Sequence, residues 1–399
     1  MGMSRKGPQS VKYALLTFQV TAFLVPWLTV LYLSSQNDIQ GVANYSFLLA
    51  MFAPLALVLA SPSRNYLISS DRYTIEQAVA LRLVLLIAGL VICLVIGVAF
   101  GLVTLALAIY LSKTTEFLFD LPLSQCLRRS KTRYLLYLAG MKLTSIFLAM
   151  LFAITTGSVE WALLLVSCLF TLVPLNSALF QGRIPRPLYQ SLLQILPLSL
   201  STLVFSLYFN IPRYLLGAYG YQGVLAIYTI SAFLLAVLLV MNNAFCQSDL
   251  HRWRELFESR RFEELNGLLK RAYIRAVLLY CAFQVTQLPG LFDGFWRLHN
   301  NLQLQDESYP MIFRWVVLLA IGPLTFSFVN YLLVITQQHK VLLRLTILSA
   351  IGTGGLSWLA FQYMGFTLVL WVICASGMAH GAVCLHIYTR CVEREQDGL

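Results

Sequence analysis

The sequence predicts an all-α polytopic membrane protein: twelve transmembrane helices in two six-helix lobes around a central cavity, with both termini in the cytoplasm. Three observations predict it. First, of 399 residues, 59% are AVILMFWYC and 11% are DEKR, against about 45–50% apolar and about 25% charged in soluble domains. So few ionisable residues cannot cover a soluble protein of this size. A soluble enzyme, a secreted disulfide scaffold, a disordered chain and a nucleic-acid-binding domain are therefore excluded. Second, twelve apolar stretches reach the roughly 20 residues that a bilayer core demands. Third, the loops between them alternate between basic and nearly free of Lys and Arg.

The stretches run near residues 12–33, 42–62, 77–97, 102–126, 134–156, 160–182, 190–216, 223–246, 271–292, 312–336, 341–361 and 366–389. The first follows Arg5, Lys6 and Lys12 and shows no cleavable signal pattern. With the N-terminus inside, the cytoplasmic loops hold 23 of the 28 basic residues, and the outside loops hold Arg297 and Arg314. This is the positive-inside rule over the full chain. A wrong span count would invert the pattern downstream of the error. The net charge of +11 is thus mainly a topology signal, and no nucleic-acid partner is expected.

The largest cytoplasmic segment, 249–271, places Leu250, Trp253, Leu256 and Phe257 on one helical face, and Phe262, Leu265, Leu268 and Leu269 on another. It reads as an interfacial amphipathic element broken near Ser259, or as a plain connector between two halves. A repeat accompanies the span count. QGVANYSFLLA at 40–50 echoes QGVLAIYTISAFLLA at 222–236, with a one-residue shift at the tyrosine. Six spans separate the copies, so the repeats are parallel. Their join falls in the loop 182–189, giving lobes at residues 1–186 and 187–399.

Catalytic signatures are absent: no Walker A, G-x-S-x-G, H-E-x-x-H or dinucleotide-binding fingerprint occurs. The longest outside loop, 293–311, is short for a membrane glycan polymerase or ligase, which would need residues such as Asp293, Arg297, Asp306 or Glu307. The glycines of IGTGG (351–355) and of GMAHG (377–381) read as close helix-packing positions. The eight cysteines form no C-x-x-C pair and read as reduced, small apolar residues. His380, in the last span, is either a proton site or a hydrogen-bonded bundle histidine.

Five ionisable residues lie inside spans: Lys113, Glu116, Asp120, Lys142 and Arg213. Each costs about 2.5–3.5 kcal/mol at mid-bilayer on insertion scales, and such groups normally face a bundle interior or a cavity. Lys113, Glu116 and Asp120, at i, i+3 and i+7, share one face of the fourth helix. Lys142 sits in the fifth helix beside them. Two readings are open. The four form a functional polar stripe, or Lys113 pairs with Glu116 and Lys142 with Asp120 and they fix packing. Arg213, after Asn210 and Pro212 near the outer end of the seventh span, either meets substrate or snorkels to the interface. The balance, three cations and two carboxylates, suits an anionic headgroup better than a cationic drug.

FNIPRYLLGAYGYQGVLAIYTISAFLL (209–235) resembles the seventh and eighth helices of bacterial polysaccharide repeat-unit flippases. These belong to the multidrug/oligosaccharidyl-lipid/polysaccharide exporter superfamily. PWLTVLYLSS (26–35) through ASPSRNYLISSDR (60–72) is similar to that family's first two helices. The resemblance implies a transporter, not an enzyme, that moves an undecaprenyl-pyrophosphate-linked oligosaccharide (O-antigen, capsule or exopolysaccharide precursor) across the bacterial inner membrane by alternating access. It implies a cationic cavity, carried here by Lys113, Lys142, Arg213 and Asn210, with Arg64 at the cytoplasmic gate. Glu116 and Asp120 then tune the lysines or carry a coupling ion, H+ or Na+; no other cofactor is expected. Membrane lipids, a polysaccharide polymerase and a chain-length regulator are the implied partners. The first helix (11–33) lacks the acidic residue of the multidrug branch, which makes a cation-coupled multidrug or small-molecule exporter the alternative.

Overall fold

The structure, a computed structural model, describes residues 8–69, 75–119, 122–123, 132–172, 188–288 and 309–397. Among these residues there are thirteen α-helices and no strand. They are α1 (Pro8–Ser35), α2 (Ile39–Ser69), α3 (Ile75–Ala99), α4 (Val103–Glu116), α5 (Thr132–Thr156), α6 (Val159–Thr171), α7 (Leu188–Ala218), α8 (Gln222–Glu258), α9 (Phe262–Gln284), α10 (Tyr309–Leu318), α11 (Ile321–Ile335), α12 (His339–Met364) and α13 (Phe366–Asp397). Each of the twelve expected spans meets a helix. Among the described residues, seven helical stretches are long and apolar enough to cross a membrane by length and composition, among them Arg133–Thr156, Gln222–Glu258 and Met311–Ile335.

Three boundaries differ from the sequence expectation, each for a local reason. The tenth span is two helices, α10 and α11, interrupted at Leu319–Ala320. Pro323 offers no N–H to the carbonyl of Leu319, and its ring crowds that carbonyl, so the ladder breaks there. The fourth span is α-helical only to Glu116 and tightens into a 3-10 turn at Phe117–Phe119. Just before it, Thr114 and Thr115 turn their hydroxyls back onto the carbonyls of Tyr110 and Leu111, and such back-bonding weakens a helix. The i, i+3, i+7 face therefore ends at Glu116, and Asp120 lies outside the described residues.

The third difference is at 249–271, which is no separate interfacial element. It is the continuation of α8 and the start of α9, broken at Ser259–Arg261 with Arg260 left-handed (φ 57°). At 37 residues, α8 is about 55 Å long, well beyond a bilayer core of about 30 Å. Its excess and the first turns of α9 bury Leu250, Trp253, Leu256, Phe262, Leu265 and Leu269. The last helix joins them: Tyr388 donates to Asn266 Oδ1 at 3.2 Å, and Arg260 pairs with Glu395 at 3.1 Å. The apolar stripe is thus the core of a helical hairpin, and the exposed ion pair adds little.

The turns repeat with the spans. The turn between the first and second spans holds Asn37 at φ 58°, and the turn six spans later holds Gly220 at φ 74°. Likewise Gly157 (φ 71°) follows the fifth span and Gly365 (φ 86°) the eleventh. Asn and Gly are the residues that enter this region most easily. The echoed segments themselves open α2 and α8. In each, a hydroxyl residue follows the tyrosine, Ser46 after Tyr45 and Thr229 after Tyr228. These two hydroxyls hydrogen-bond to each other.

The contacts divide the chain into two compact units. One is Met1–Val25 with Met51–Leu203; the other is Pro26–Ala50 with Val204–Leu399. The divisions within α1 and α2 fall beside prolines, Pro26 in α1 and, four residues past Ala50, Pro54 in α2. In the first unit α4 packs between α3 and α6; in the second α13 packs along α11 and α12, and α8 along α9, α10 and α11.

The two glycine motifs behave differently. Gly377 and Gly381 of α13 sit at a tight crossing with α11: a Cβ on Gly377 would lie 2.6 Å from the Gly322 carbonyl oxygen. That is the close packing expected. Gly352, Gly354 and Gly355 of α12 have nothing within 4 Å of a Cβ position, so they mark no helix contact among the described residues. The seven cysteines described are all free thiols.

Candidate functional site

Among the described residues, each unit buries charged side chains within its helices. In the first unit, α4 presents Lys113 and Glu116 one turn apart, and α5 presents Lys142. Glu116 takes both lysines. Its Oε2 accepts from Lys113 Nζ at 3.1 Å and its Oε1 from Lys142 Nζ at 2.8 Å. Lys142 pairs with Glu116, and the Lys142–Asp120 pairing of the packing reading falls on a residue outside those described. One carboxylate thus bridges two ammoniums, with each oxygen charge-assisted.

The two lysines are not equivalent. Lys142 is 2% exposed. Its ammonium lies 4.8 Å from the centroid of Phe18, 5.5 Å from Phe119 and 5.9 Å from Phe170. Ring faces attract a desolvated cation, so three aromatics and a carboxylate enclose it. Lys113 is 13% exposed, with Glu116 as its ion-pair partner.

The second unit holds Arg213, on α7. It does not snorkel. Nη1 donates to Asn210 Oδ1 at 2.7 Å, and the guanidinium carbon lies 5.7 Å from the Tyr228 ring centroid. Asn210 is buried and is itself anchored, its Nδ2 donating to the Ser206 carbonyl at 2.8 Å. Arg213 Nε is buried with no hydrogen-bond partner, and so is Gln222 Oε1 nearby in sequence to the repeat. Among the described residues no carboxylate pairs with Arg213. A guanidinium held inward with one unfilled donor, and with no carboxylate on it among the described residues, has the chemistry to attract an anion. Arg64 falls within α2, but its side chain lies outside the described residues, as does the loop segment 289–308.

His380 resolves as a bundle histidine. Nδ1 meets Ser349 Oγ at 2.8 Å and Nε2 meets Asn330 Oδ1 at 2.9 Å, while the ring stacks on Phe326 with centroids 3.8 Å apart. Asn330 Oδ1 only accepts, so Nε2 carries the hydrogen and Nδ1 takes the Ser349 hydroxyl. Three helices are tied by one ring. Replacing His380 by Ala is expected to lower the stability of the purified protein by about 1–3 kcal/mol through two orphaned partners, read as an earlier thermal transition.

Sequence reading passed over a neutral polar network in the same unit. Ser327 donates to Asn243 Oδ1 at 2.7 Å, and Gln247 Nε2 donates to Tyr331 Oη at 3.2 Å. The signal was present as amides at i and i+4 on α8 (Asn243, Gln247) facing hydroxyls at i and i+4 on α11 (Ser327, Tyr331). Uncharged residues are cheap enough in spans that they do not stand out as charges do. Among the described residues no three metal-ligating side chains gather.

No protein-family model matches the chain, and no curated protein matches it. Solved structures do. An outward-facing multidrug resistance MATE family transporter of the MOP superfamily aligns with TM-score 0.66 at 13% identity, over 99% of this chain and 97% of that one. A MATE in the straight conformation aligns with TM-score 0.65 at 14% identity, over 98% and 99%. The Vibrio cholerae MATE transporter VcmN in the bent form aligns with TM-score 0.59 at 15% identity, over 98% and 97%. With 97–99% of both chains aligned, the chain has the all-helical membrane fold of the MATE family transporters.

Proposed function

We propose that this chain is a secondary transporter, not an enzyme, and that it exports an amphipathic small molecule across the bacterial inner membrane by alternating access coupled to a cation. The observation that carries this reading is the near-complete coverage in both directions by transporters named for multidrug resistance. The parallel repeat, with lobes joined at 182–189, supplies the two halves that such a cycle needs. The cluster around Glu116 is the coupling centre. Both its oxygens are occupied, so a proton or Na+ enters in exchange for an ammonium. Lys113, the more exposed partner, is the one released, while Lys142 stays in its aromatic enclosure.

A second reading is favoured by one specific observation, the uncompensated Arg213. A lipid-linked oligosaccharide flippase needs a buried cation for a pyrophosphate, and Arg213 with Asn210 offers it, Lys113 adding a second contact. Undecaprenyl-pyrophosphate-linked glycan, a polymerase and a chain-length regulator are partners under this reading.

One experiment separates the two. A deletion strain is scored both for a panel of drugs and dyes and for surface polysaccharide. The exporter reading expects increased drug sensitivity with normal polysaccharide, and the flippase reading expects the reverse. Complementation with Arg213→Gln refines the result. If the cargo carries an anionic group, its rescue falls at least about tenfold, since a lost charge-assisted contact is worth about 1.5–3 kcal/mol. Equal rescue by Arg213→Gln and wild type at matched protein level removes Arg213 from the cargo path.

A further inference from the structure

We propose that the base of the helical hairpin formed by the end of α8 and the start of α9 holds the phosphate of an anionic phospholipid of the cytoplasmic leaflet, with Arg275 as its inner contact and Arg252 and Arg271 as its rim. The two helices pack on each other and run antiparallel from their break at Ser259–Arg261. Two contacts of Arg275 fix their register. Its guanidinium carbon lies 4.5 Å from the Phe245 ring centroid, and its Nη2 lies 3.8 Å from Asp249 Oδ2. On α8, Phe245, Asp249 and Arg252 stand at i, i+4 and i+7, and on α9 so do Arg271, Arg275 and Leu278. Each set shares one helical strip. Antiparallel pairing then sets Arg252 and Arg271 on the same side of the Arg275–Asp249 pair, toward the tip.

Arg275 is not an arginine simply left in water. Its Nε and Nη2 are buried and have no hydrogen-bond partner. The 3.8 Å to Asp249 is too long for a hydrogen bond, so charge alone holds that pair. Buried donors left unmet cost free energy, which a charged acceptor returns. The side chain as a whole is 30% exposed, so the guanidinium has an open edge. A small turn of that edge brings an unmet donor onto a phosphate oxygen. Arg252 and Arg271 are exposed, and the ion pairs among the described residues of this hairpin do not include them. Three guanidiniums around one carboxylate leave a surplus of positive charge.

That surplus sits where a bilayer meets it. The tip of the hairpin, 254–264, carries three arginines and four glutamates, whereas its base carries Arg252, Lys270, Arg271 and Arg275 against Asp249. The positive-inside rule counts Lys and Arg and says nothing of where glutamates fall, so this sorting of signs along one hairpin goes beyond topology. By the charge pattern of the loops this end faces the cytoplasm. The ninth span starts near residue 271, which puts Arg271 and Arg275 in its first turns, at headgroup depth. One turn deeper on their strip Leu278 is 62% exposed, and Phe245 is half-buried on the facing strip of α8. A phosphate at the arginines thus has an apolar strip beneath it for acyl chains, which a free phosphate does not use. Basic clefts between helices on this side of a membrane suit acidic headgroups.

Native mass spectrometry of the full-length chain in detergent tests this. Phosphatidylglycerol and phosphatidylcholine are titrated separately, and inorganic phosphate is added as a competitor. Phosphatidylglycerol is expected to bind about tenfold or more tightly than phosphatidylcholine. Arg275→Gln is expected to weaken it about tenfold, the loss of one charge-assisted contact, and Arg275→Lys by less, since the charge remains. Arg271→Gln, at an exposed position, reads the same loss should Arg275→Gln fail to fold. The tip variant Arg260→Gln/Arg261→Gln removes more charge from exposed pairs and is expected to leave binding unchanged. Equal binding of the two lipids overturns the site, and so does an equal loss from base and tip variants. Inorganic phosphate that displaces the lipid at equal concentration overturns the lipid and leaves a free-anion cleft. None of these outcomes depends on what the transporter carries, so the transport reading stands or falls apart from the lipid site.

Discussion

Glu116→Gln is expected to destabilise the folded protein by about 3–5 kcal/mol, the largest effect of any single substitution in the first unit. The substitution keeps the size of the side chain and removes its charge. It leaves two ammoniums buried beside each other, one of them 2% exposed. Removing one partner of a buried ion pair is costly because the other remains uncompensated, whereas removing both can be nearly neutral. The double variant Glu116→Gln/Lys142→Met should therefore regain much of the loss, since methionine fills the enclosure of Phe18, Phe119 and Phe170 without a charge. Thermal unfolding of the purified protein, with Lys113→Ala as a milder comparison, reads both effects. A single variant as stable as the wild type would mean that Glu116 does not hold the lysines.

The second large effect is at the crossing of α11 and α13. Gly377→Val is expected to cost about 3 kcal/mol, the upper end of what overpacking does. A Cβ there meets the Gly322 carbonyl at 2.6 Å, and a Cβ on Gly322 meets the Cys374 backbone at 2.5 Å. Backbone on both sides cannot turn away as a side chain can, so the helices must separate. The control is Gly355→Ala on α12, where a Cβ meets open space. Helix propensity alone predicts a gain of up to about 1 kcal/mol there. Denaturation midpoints of the two variants should move in opposite directions. A destabilised Gly355→Ala would instead point to packing that this chain alone does not make.

Some of the site was legible in the sequence and some was not, for reasons that particular residues make clear. Lys113, Glu116, Lys142 and Arg213 stood out because charge in a span is rare and costly. The Lys113–Glu116 pair was one of the two readings there; that Lys142 reaches Glu116 was not, because it depends on where α4 stops. Back-bonding by Thr114 and Thr115 and the turn after Glu116 decided that, and they brought Lys142 to Glu116. Arg213 had two readings that sequence position could not separate. The packing of α7 against α8 turned the guanidinium over Tyr228 and away from the interface. The glycine motifs of α12 and α13 look alike in one dimension, yet only that of α13 lies where another helix crosses. The substrate was read from charge balance and from the resemblance at 209–235; charge balance says what a site attracts, and the fold does not encode the cargo.

The sequence by itself determined the all-helical membrane class and where its helices fall. Both follow from a one-dimensional quantity, apolar length against bilayer thickness. The tertiary structure decided which lysine is enclosed and which is open, where α10 gives way to α11, and that Pro26–Ala50 packs with the second unit. These depend on which faces of distant helices meet. In a chain where almost every face is apolar, hydrophobic periodicity carries little information about that, and shape, small residues and a few hydrogen bonds choose the partners.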